Sequence, residues 1–459
     1  MTVNLAERVT EMRQVARPLV AGRVTSAVGL RVTVEGVTAR VGDLVSIGRA
    51  NGSGAPGPTP VGPAVTGHGT ASEDVLAEVV AMDGAQLSCM PLGPLGGIGA
   101  GSRVINTGEP LQVPVGDGLR GRILDGLGRP MDDLGPLNGC DWVGVDAEPP
   151  SALKRQRITE PMALGVRALD TLAPMGRGQR LGIFAGSGVG KSTLLSMITR
   201  GTDAEINVIA LVGERGREVR EFIENDLGPE GLARSIVVVA TSDQPPLVRL
   251  RAAFVATRIA EWFRDEGRDV LLMMDSVTRA AMAQREVGLS VGEPPATRGY
   301  PPSVFGMLAT LMERAGPGPV GTITGLYTVL VEGDDHNEPI ADAARSILDG
   351  HVVLDRRLAT AGHFPSIDAL ESISRLANTV TTPEQRGDAT ALRRMLAAHR
   401  DVRELVEIGA YVTGTNPDAD RAQALWPGIE GFLRQQVDER VTAAQSWTAL
   451  SKLLNEGGN

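Results

Sequence analysis

An apolar run at residues 179–184 passes directly into Ala185-Gly-Ser-Gly-Val-Gly-Lys-Ser192, and helix-forming sequence begins as soon as that loop ends. No other feature narrows the fold so far. A strand that ends in a glycine-rich loop and opens a helix is the setting of a phosphate-binding loop. Glycines let backbone N–H groups converge on an anion without a Cβ in the way, and the helix N-terminus adds partial positive charge. The candidate nucleotide-binding residues are therefore Ala185, Gly186, Ser187, Gly188, Val189, Gly190, Lys191, Ser192 and Thr193. Lys191 would contact the β- and γ-phosphates, Ser192 would bind magnesium through its hydroxyl, and Thr193 would add a phosphate donor. Ala185 departs from the usual glycine at the least crowded end of the loop. Of the 45 lysine and arginine residues only Lys154, Lys191 and Lys452 are lysine. A compact ammonium suits a nest of phosphate oxygens in a way a flat guanidinium does not, so chemistry explains the lysine at 191.

A phosphate loop needs an acid for its metal. The segment Leu271-Leu-Met-Met-Asp275 puts Asp275, the Walker B candidate, at the end of an apolar strand, where a parallel sheet presents its ligands. Hydrolysis also needs a group that orients the attacking water. Glu214, just past another apolar strand in Val212-Gly-Glu-Arg-Gly-Arg-Glu218, is the candidate. Its neighbour Arg215 either approaches the γ-phosphate or pairs with a nearby acid.

The surrounding sequence supplies the frame. Residues 1–18 carry Leu5, Val9, Met12 and Val15 at helical spacing, a terminal helix or a partner-docking segment. From 19 to 105, beta-branched runs at 20–28, 30–34 and 75–82 alternate with Gly and Asp turns, which predicts a small β-barrel. A Gly/Pro-rich stretch within 51–74 buries little and reads as a mobile loop. Through 106–376, apolar strands at 179–184, 207–212, 235–240 and 269–274 alternate with helix-like sequence, which predicts a parallel sheet with helical crossovers. Residues 377–459 read as a helical domain, with helices over 390–410 and 418–441.

With 459 residues and 42% hydrophobic composition the chain can bury more than one core. A net charge of -10 leaves no basic face for a phosphate backbone, so nucleic acid is not an expected partner. Cys89 and Cys140, the two cysteines, support neither a disulfide framework nor a cysteine zinc site, and His336, His351 and His363 lack metal-ligand spacing. No run approaches a membrane span, and Glu7, Arg8, Glu11 and Arg13 stand where a signal peptide would be apolar, so a soluble cytoplasmic chain is expected.

Six segments together carry a resemblance. They are 116–130, 176–193, Gly213-Glu-Arg-Gly-Arg-Glu-Val-Arg-Glu221, Asp275-Ser-Val-Thr-Arg279, 292–305 and Val331-Glu-Gly-Asp-Asp-His-Asn-Glu-Pro339. The chain resembles the hexameric ATPases related to the catalytic subunit of rotary ATP synthases, and more narrowly the flagellum-specific, type III protein-export ATPases. Ala283-Gln-Arg-Glu286 and Thr297-Arg-Gly-Tyr300 look like the flagellar variant. Ala280 stands where that family usually has Phe, and His336 where Met is common. The resemblance implies a phosphate-loop NTPase core with a RecA-like parallel sheet, an N-terminal β-barrel and a C-terminal α-helical domain. It implies Mg-ATP hydrolysis by a homohexameric ring with nucleotide between subunits, energising export and the release of chaperone-bound substrates. It makes Arg375, in Ser372-Ile-Ser-Arg375, an arginine finger for the neighbouring subunit. Phe364 becomes the aromatic contact to adenine, and Tyr411 either closes the other side of that pocket or packs between helices. The implied partners are an export regulator at the N-terminus, a stalk-like protein, membrane proteins of the export gate at the inner membrane, and chaperone complexes.

Two other functions share this core. A rotary proton- or sodium-driven synthase subunit would need a different chain to complete its sites. A ring-shaped RNA translocase would need stacking platforms and cationic grooves, which the acidic balance and 3% aromatic content disfavour. An injectisome ATPase is the alternative within the export family.

Overall fold

Alternation is clearest in the second N-terminal strand. In β2 (Arg31–Glu35), Val32 and Val34 point inward while the residues between them are partly exposed. With β1 (Ala21–Val28), β3 (Asp43–Ile47), β4 (Val75–Asp83), β5 (Gln86–Pro91) and β6 (Arg103–Pro110), it closes a barrel in the order β1-β2-β5-β4-β3-β6. The lumen is filled by valines with Ile47, Leu87 and Cys89. Burial pushes the Cys89 thiol up to about 12, which makes it a packing group. Gly29, at φ 58, turns the two-residue hairpin between β1 and β2.

This computed structural model describes residues 20–49, 74–331 and 338–456. The expected docking segment at 1–18, all but the last residue of the expected loop at 51–74, and His336 lie outside the described residues. The chain forms two compact units, one running to Gln112 and including Leu289–Glu293, the other comprising Val113–Gly288 and Pro294 onward.

The second unit is built on a sheet whose strands are β7 (Ile123–Asp125), β8 (Arg180–Ala185), β9 (Ile206–Glu214), β10 (Ser235–Thr241), β11 (Asp269–Asp275), β12 (Thr322–Leu330), β13 (Gly350–Leu354) and β14 (Ile367–Ser374). Their order is β14-β13-β8-β12-β11-β9-β10-β7, with a short strand, Gly316–Pro317, beside β12. All pairs along that order are parallel except β13 with β14. The core strands are nearly continuous apolar runs because helices cover both faces. Helix α1 (Arg167–Leu172) precedes β8, α2 (Lys191–Gly201) follows it, and α3 (Pro246–Asp265) packs over β9, β10 and β11.

Three helices close the chain: α4 (Pro383–Glu407), α5 (Pro417–Leu433) and α6 (Ala443–Glu456). Thr382 and Gln385 form a reciprocal capping box at the start of α4. The second helix expected over 418–441 ends instead at Leu433. Residues 434–442 leave the helix because they bond elsewhere: Gln435 donates to Gly165 O at 2.8 Å, and Arg200 donates to Val437 O at 2.9 Å. Helix α6 begins after them, where Thr442 accepts from Gln445 N.

Candidate active site

The C-terminal edge of the parallel sheet gathers the candidate residues. β8 delivers the chain into the loop, Gly188 and Gly190 take positive φ values of 74 and 90, and Gly190 caps α2 in the left-handed region. Lys191 opens α2 and turns into the space between two neighbouring strand ends. Its Nζ lies 2.5 Å from Asp275 Oδ1 at the end of β11 and 3.4 Å from Glu214 Oε1 at the end of β9. The three side chains are 12%, 6% and 15% exposed, so water screens them poorly. Thr328 Oγ1 on β12 donates to the same oxygen, Asp275 Oδ1, at 2.7 Å and helps to fix that carboxylate.

Burial works against the Lys191 ammonium, but Asp275 and then Glu214 outweigh it and hold its pKa above the usual value. Burial pushes the Glu214 carboxyl up, and Asp275 adds to that rise against the pull of Lys191. A buried carboxyl with a raised pKa beside a phosphate loop is what a water-activating base requires.

Glu214 owes its aim to a local irregularity. Register slips between Val212 and Glu214 in the pairing with β10, and Gly213 at φ 72 supports the slip. A Cβ at Gly213 would come within 3.0 Å of Arg279 Cβ, so glycine also admits the Arg279 side chain. Ser192 is exposed and Thr193 half-buried in the first turn of α2.

The remaining expectations separate. Arg215 is 79% exposed and pairs with Glu218 at 3.1 Å, the acid-pairing arrangement. Phe364, 40% exposed, lies close to the phosphate loop: a Cβ at Gly190 would meet its ring at 3.2 Å. Tyr411 packs against Ala398, Val402 and Ala419, and its hydroxyl donates to Asp420 Oδ1 at 2.9 Å, a helix-packing arrangement. Arg375 is exposed and donates to Arg345 O at 3.3 Å. In β13 and β14, Leu354 pairs with Ile367 at the phosphate-loop end of the sheet and Gly350 with Ser374 at the opposite end. Arg375 therefore leaves the sheet at the end away from its own chain's loop.

Sequence reading missed Thr328, one of three threonines in β12 (Thr322-Ile-Thr-Gly-Leu-Tyr-Thr-Val-Leu330), which no sequence signal sets apart from the other two. It also missed Ser366, which donates to Val189 O at 2.5 Å, and Arg356, which donates to Ser187 O at 3.0 Å.

Two family models match the chain: the nucleotide-binding domain of the ATP synthase alpha/beta family over residues 165–374, and the T3SS EscN ATPase C-terminal domain over 381–452. A flagellum-specific ATP synthase of Bacillus subtilis is 49% identical over 432 residues, covering 94% of each chain. The SPI-2 type 3 secretion system ATPase of Salmonella typhimurium is 51% identical over 364 residues, 79% of this chain and 84% of that one. Among solved structures, the assembled ATPase EscN of enteropathogenic E. coli, in complex with its central stalk EscO, superposes with a TM-score of 0.84 at 42% identity. That match covers 94% of this chain and 100% of EscN.

Proposed function

We propose, for a chain that belongs to the family of flagellum-specific ATP synthases and type III secretion ATPases, that it works as a homohexameric ring whose Mg-ATP hydrolysis energises flagellar protein export. The chain is an ATP hydrolase of the ATP synthase type. The observation that carries the reading is the Lys191 ammonium held between Asp275 and Glu214 at the mouth of a glycine loop.

The residues at hand fit magnesium delivered with nucleotide. Among the described residues no cluster of three His, Cys, Asp or Glu could hold a metal alone. Ser192 and Asp275 would hold the ion, the latter through water, with phosphate oxygens and water supplying the remaining ligands. Bound there, magnesium would neutralise charge developing on the β- and γ-oxygens.

The protein's own contributions follow from charge. Phosphate oxygens draw the Lys191 ammonium off the two carboxylates, since a polyphosphate outbids them for a cation. Glu214, relieved of that cation, accepts a proton from the attacking water. The N–H groups of residues 188–193 hold the phosphates, and the exposed ring face of Phe364 stacks on adenine. Arg215 and Tyr411, engaged as described, have no assigned step. Arg375 serves the site of the adjacent subunit, because it leaves the sheet away from its own loop.

The partners proposed are a second copy of the chain on each side, a central stalk protein of the kind EscN binds, an export regulator at the N-terminus, gate membrane proteins, and chaperone complexes. Among the described residues no helix is long and apolar enough to cross a membrane. A cytoplasmic ring resting on the inner-membrane apparatus is the corresponding location. The SPI-2 relative keeps the injectisome reading as the second possibility.

The test is specific Mg-ATPase activity against chain concentration, with assembly followed in parallel. Activity per chain rising as rings form supports sites shared between identical subunits. Inactive rings that turn over only when a different subunit is added would transfer the chain to the heteromeric synthase class.

A further inference from the structure

We infer that Ser366 and Arg356 are positioning residues that aim the backbone of the phosphate loop at its anion. Both lie on the segment between β13 and β14, and both donate to carbonyls of the loop. Ser366 Oγ reaches Val189 O at 2.5 Å, and Arg356 Nη1 reaches Ser187 O at 3.0 Å. In a planar trans peptide the C=O and the following N–H point in opposite directions. A donor on Val189 O therefore orients the N–H of Gly190, and a donor on Ser187 O orients the N–H of Gly188.

These two glycines are the positions that need holding. Both sit at positive φ, where glycine is conformationally permissive and the loop could turn its N–H groups elsewhere. Gly190 is further confined by the Phe364 ring, which a Cβ there would meet at 3.2 Å. Ser366 is 2% exposed, so its hydroxyl has little water to exchange with and its bond to Val189 O is kept. The segment is itself tied down: Asp355 N donates to Ser366 O at 2.9 Å, and Gln435 N donates to Phe364 O at 3.0 Å. Arg356 is exposed, so its bond contributes less.

The inference rests on the reading of residues 185–193 as a nucleotide phosphate site, and it assigns the preorganisation of that site to a distant segment of the same chain. Its distinguishing consequence is independence from the base. Calorimetric titration of the full chain with Mg-ADP and with magnesium tripolyphosphate, which has no adenine, separates the phosphate loop from the Phe364 contact. Ser366→Ala should weaken both ligands by a similar factor, about 3- to 10-fold for one hydrogen bond. Ser366→Thr, which keeps the hydroxyl, should restore both. Arg356→Gln should show the same paired loss with a smaller factor, and its exposed side chain keeps the inference testable should Ser366→Ala fold poorly.

Weaker Mg-ADP binding with unchanged tripolyphosphate binding would overturn the inference and make Ser366 a support of the adenine contact. Unchanged binding of both by a folded Ser366→Ala chain would overturn it outright. A wild-type chain that binds neither ligand would bring down the phosphate-site reading, and this inference with it.

Discussion

At the residue scale the site is a contest over one ammonium. Lys191 is a lysine in a chain that otherwise uses arginine almost throughout, and its contacts explain why: a point charge can sit 2.5 Å from Asp275 and turn from there to a phosphate. Lys191→Ala should abolish turnover, and Lys191→Arg should fail to restore it, because a planar fork cannot reproduce both positions. Near-normal turnover in either variant would remove the phosphate-loop assignment. Glu214→Gln should keep nucleotide binding and lose about 10² to 10⁴ in turnover, the range of a lost general base. The sign of the pH dependence follows from the raised pKa. The carboxyl must be ionised to take a proton, so turnover falls as pH drops through its pKa, and the acid limb lies above that of an ordinary glutamate. A pH profile in which E214Q keeps the same limb would assign the limb to another group. Their grouping was legible because a lysine opening the helix after a glycine loop and acids at strand ends are the types that phosphate chemistry calls for. Thr328 and Ser366 were not, since a hydroxyl beside an apolar run announces no partner until the fold brings the carboxylate or carbonyl to it.

Elements were read well wherever burial on both faces leaves a continuous apolar run, as in β9, β10 and β11. They were misread where hydrogen bonds from far along the chain decide. The end of α5 at Leu433 depends on neighbours that spacing cannot reveal. The loop before α1 shows the same dependence and offers a test. Asp170 accepts from Leu164 N at 2.8 Å and Gly165 N at 3.1 Å, while Gly165 O takes the Gln435 amide. Burial pushes Asp170 up to about 7, against the lowering pull of those N–H groups. An unfolded chain loses this proton near pH 4, so between about pH 4 and 7 the folded state binds more protons than the unfolded one. Its contribution to stability is therefore complete below about pH 4 and declines as pH rises, by at most about 1.4 kcal/mol per pH unit. Asp170→Asn removes that slope and leaves one N–H unsatisfied. The stability gap between wild type and variant, read from denaturant midpoints, should narrow from pH 4 to 7. A constant gap would show that Asp170 keeps its proton affinity unchanged on folding.

At the scale of the whole molecule, the proposed arginine finger stands away from the phosphate loop of its own chain. The strand that begins beside the phosphate loop at Ile367 ends at Ser374, and Arg375 emerges where β13 starts, at the far end of the sheet. Gly182 pairs with His351 and Ala185 with Leu354, so this end lies several residues before the loop along β8. At ~3.3 Å per residue that is on the order of 10 Å of sheet, too far for the guanidinium to serve its own phosphates. The guanidinium is exposed, and its 3.3 Å bond to Arg345 O is a weak hold on it. A heterologous ring contact would bring it to the next subunit's site, and such a finger is worth about 10³ to 10⁵ in rate elsewhere. Arg375→Ala and Glu214→Ala chains should then each be nearly inactive alone and recover activity when mixed. In a random equal mixture about one interface in four pairs an intact Glu214 with a neighbour's intact Arg375, so recovery should approach about a quarter of wild type if sites act independently. Absence of recovery in rings shown to contain both variants would place Arg375 outside the neighbour's chemistry, because no arrangement of the mixed subunits would then have rebuilt a site that geometry denies to the single chain.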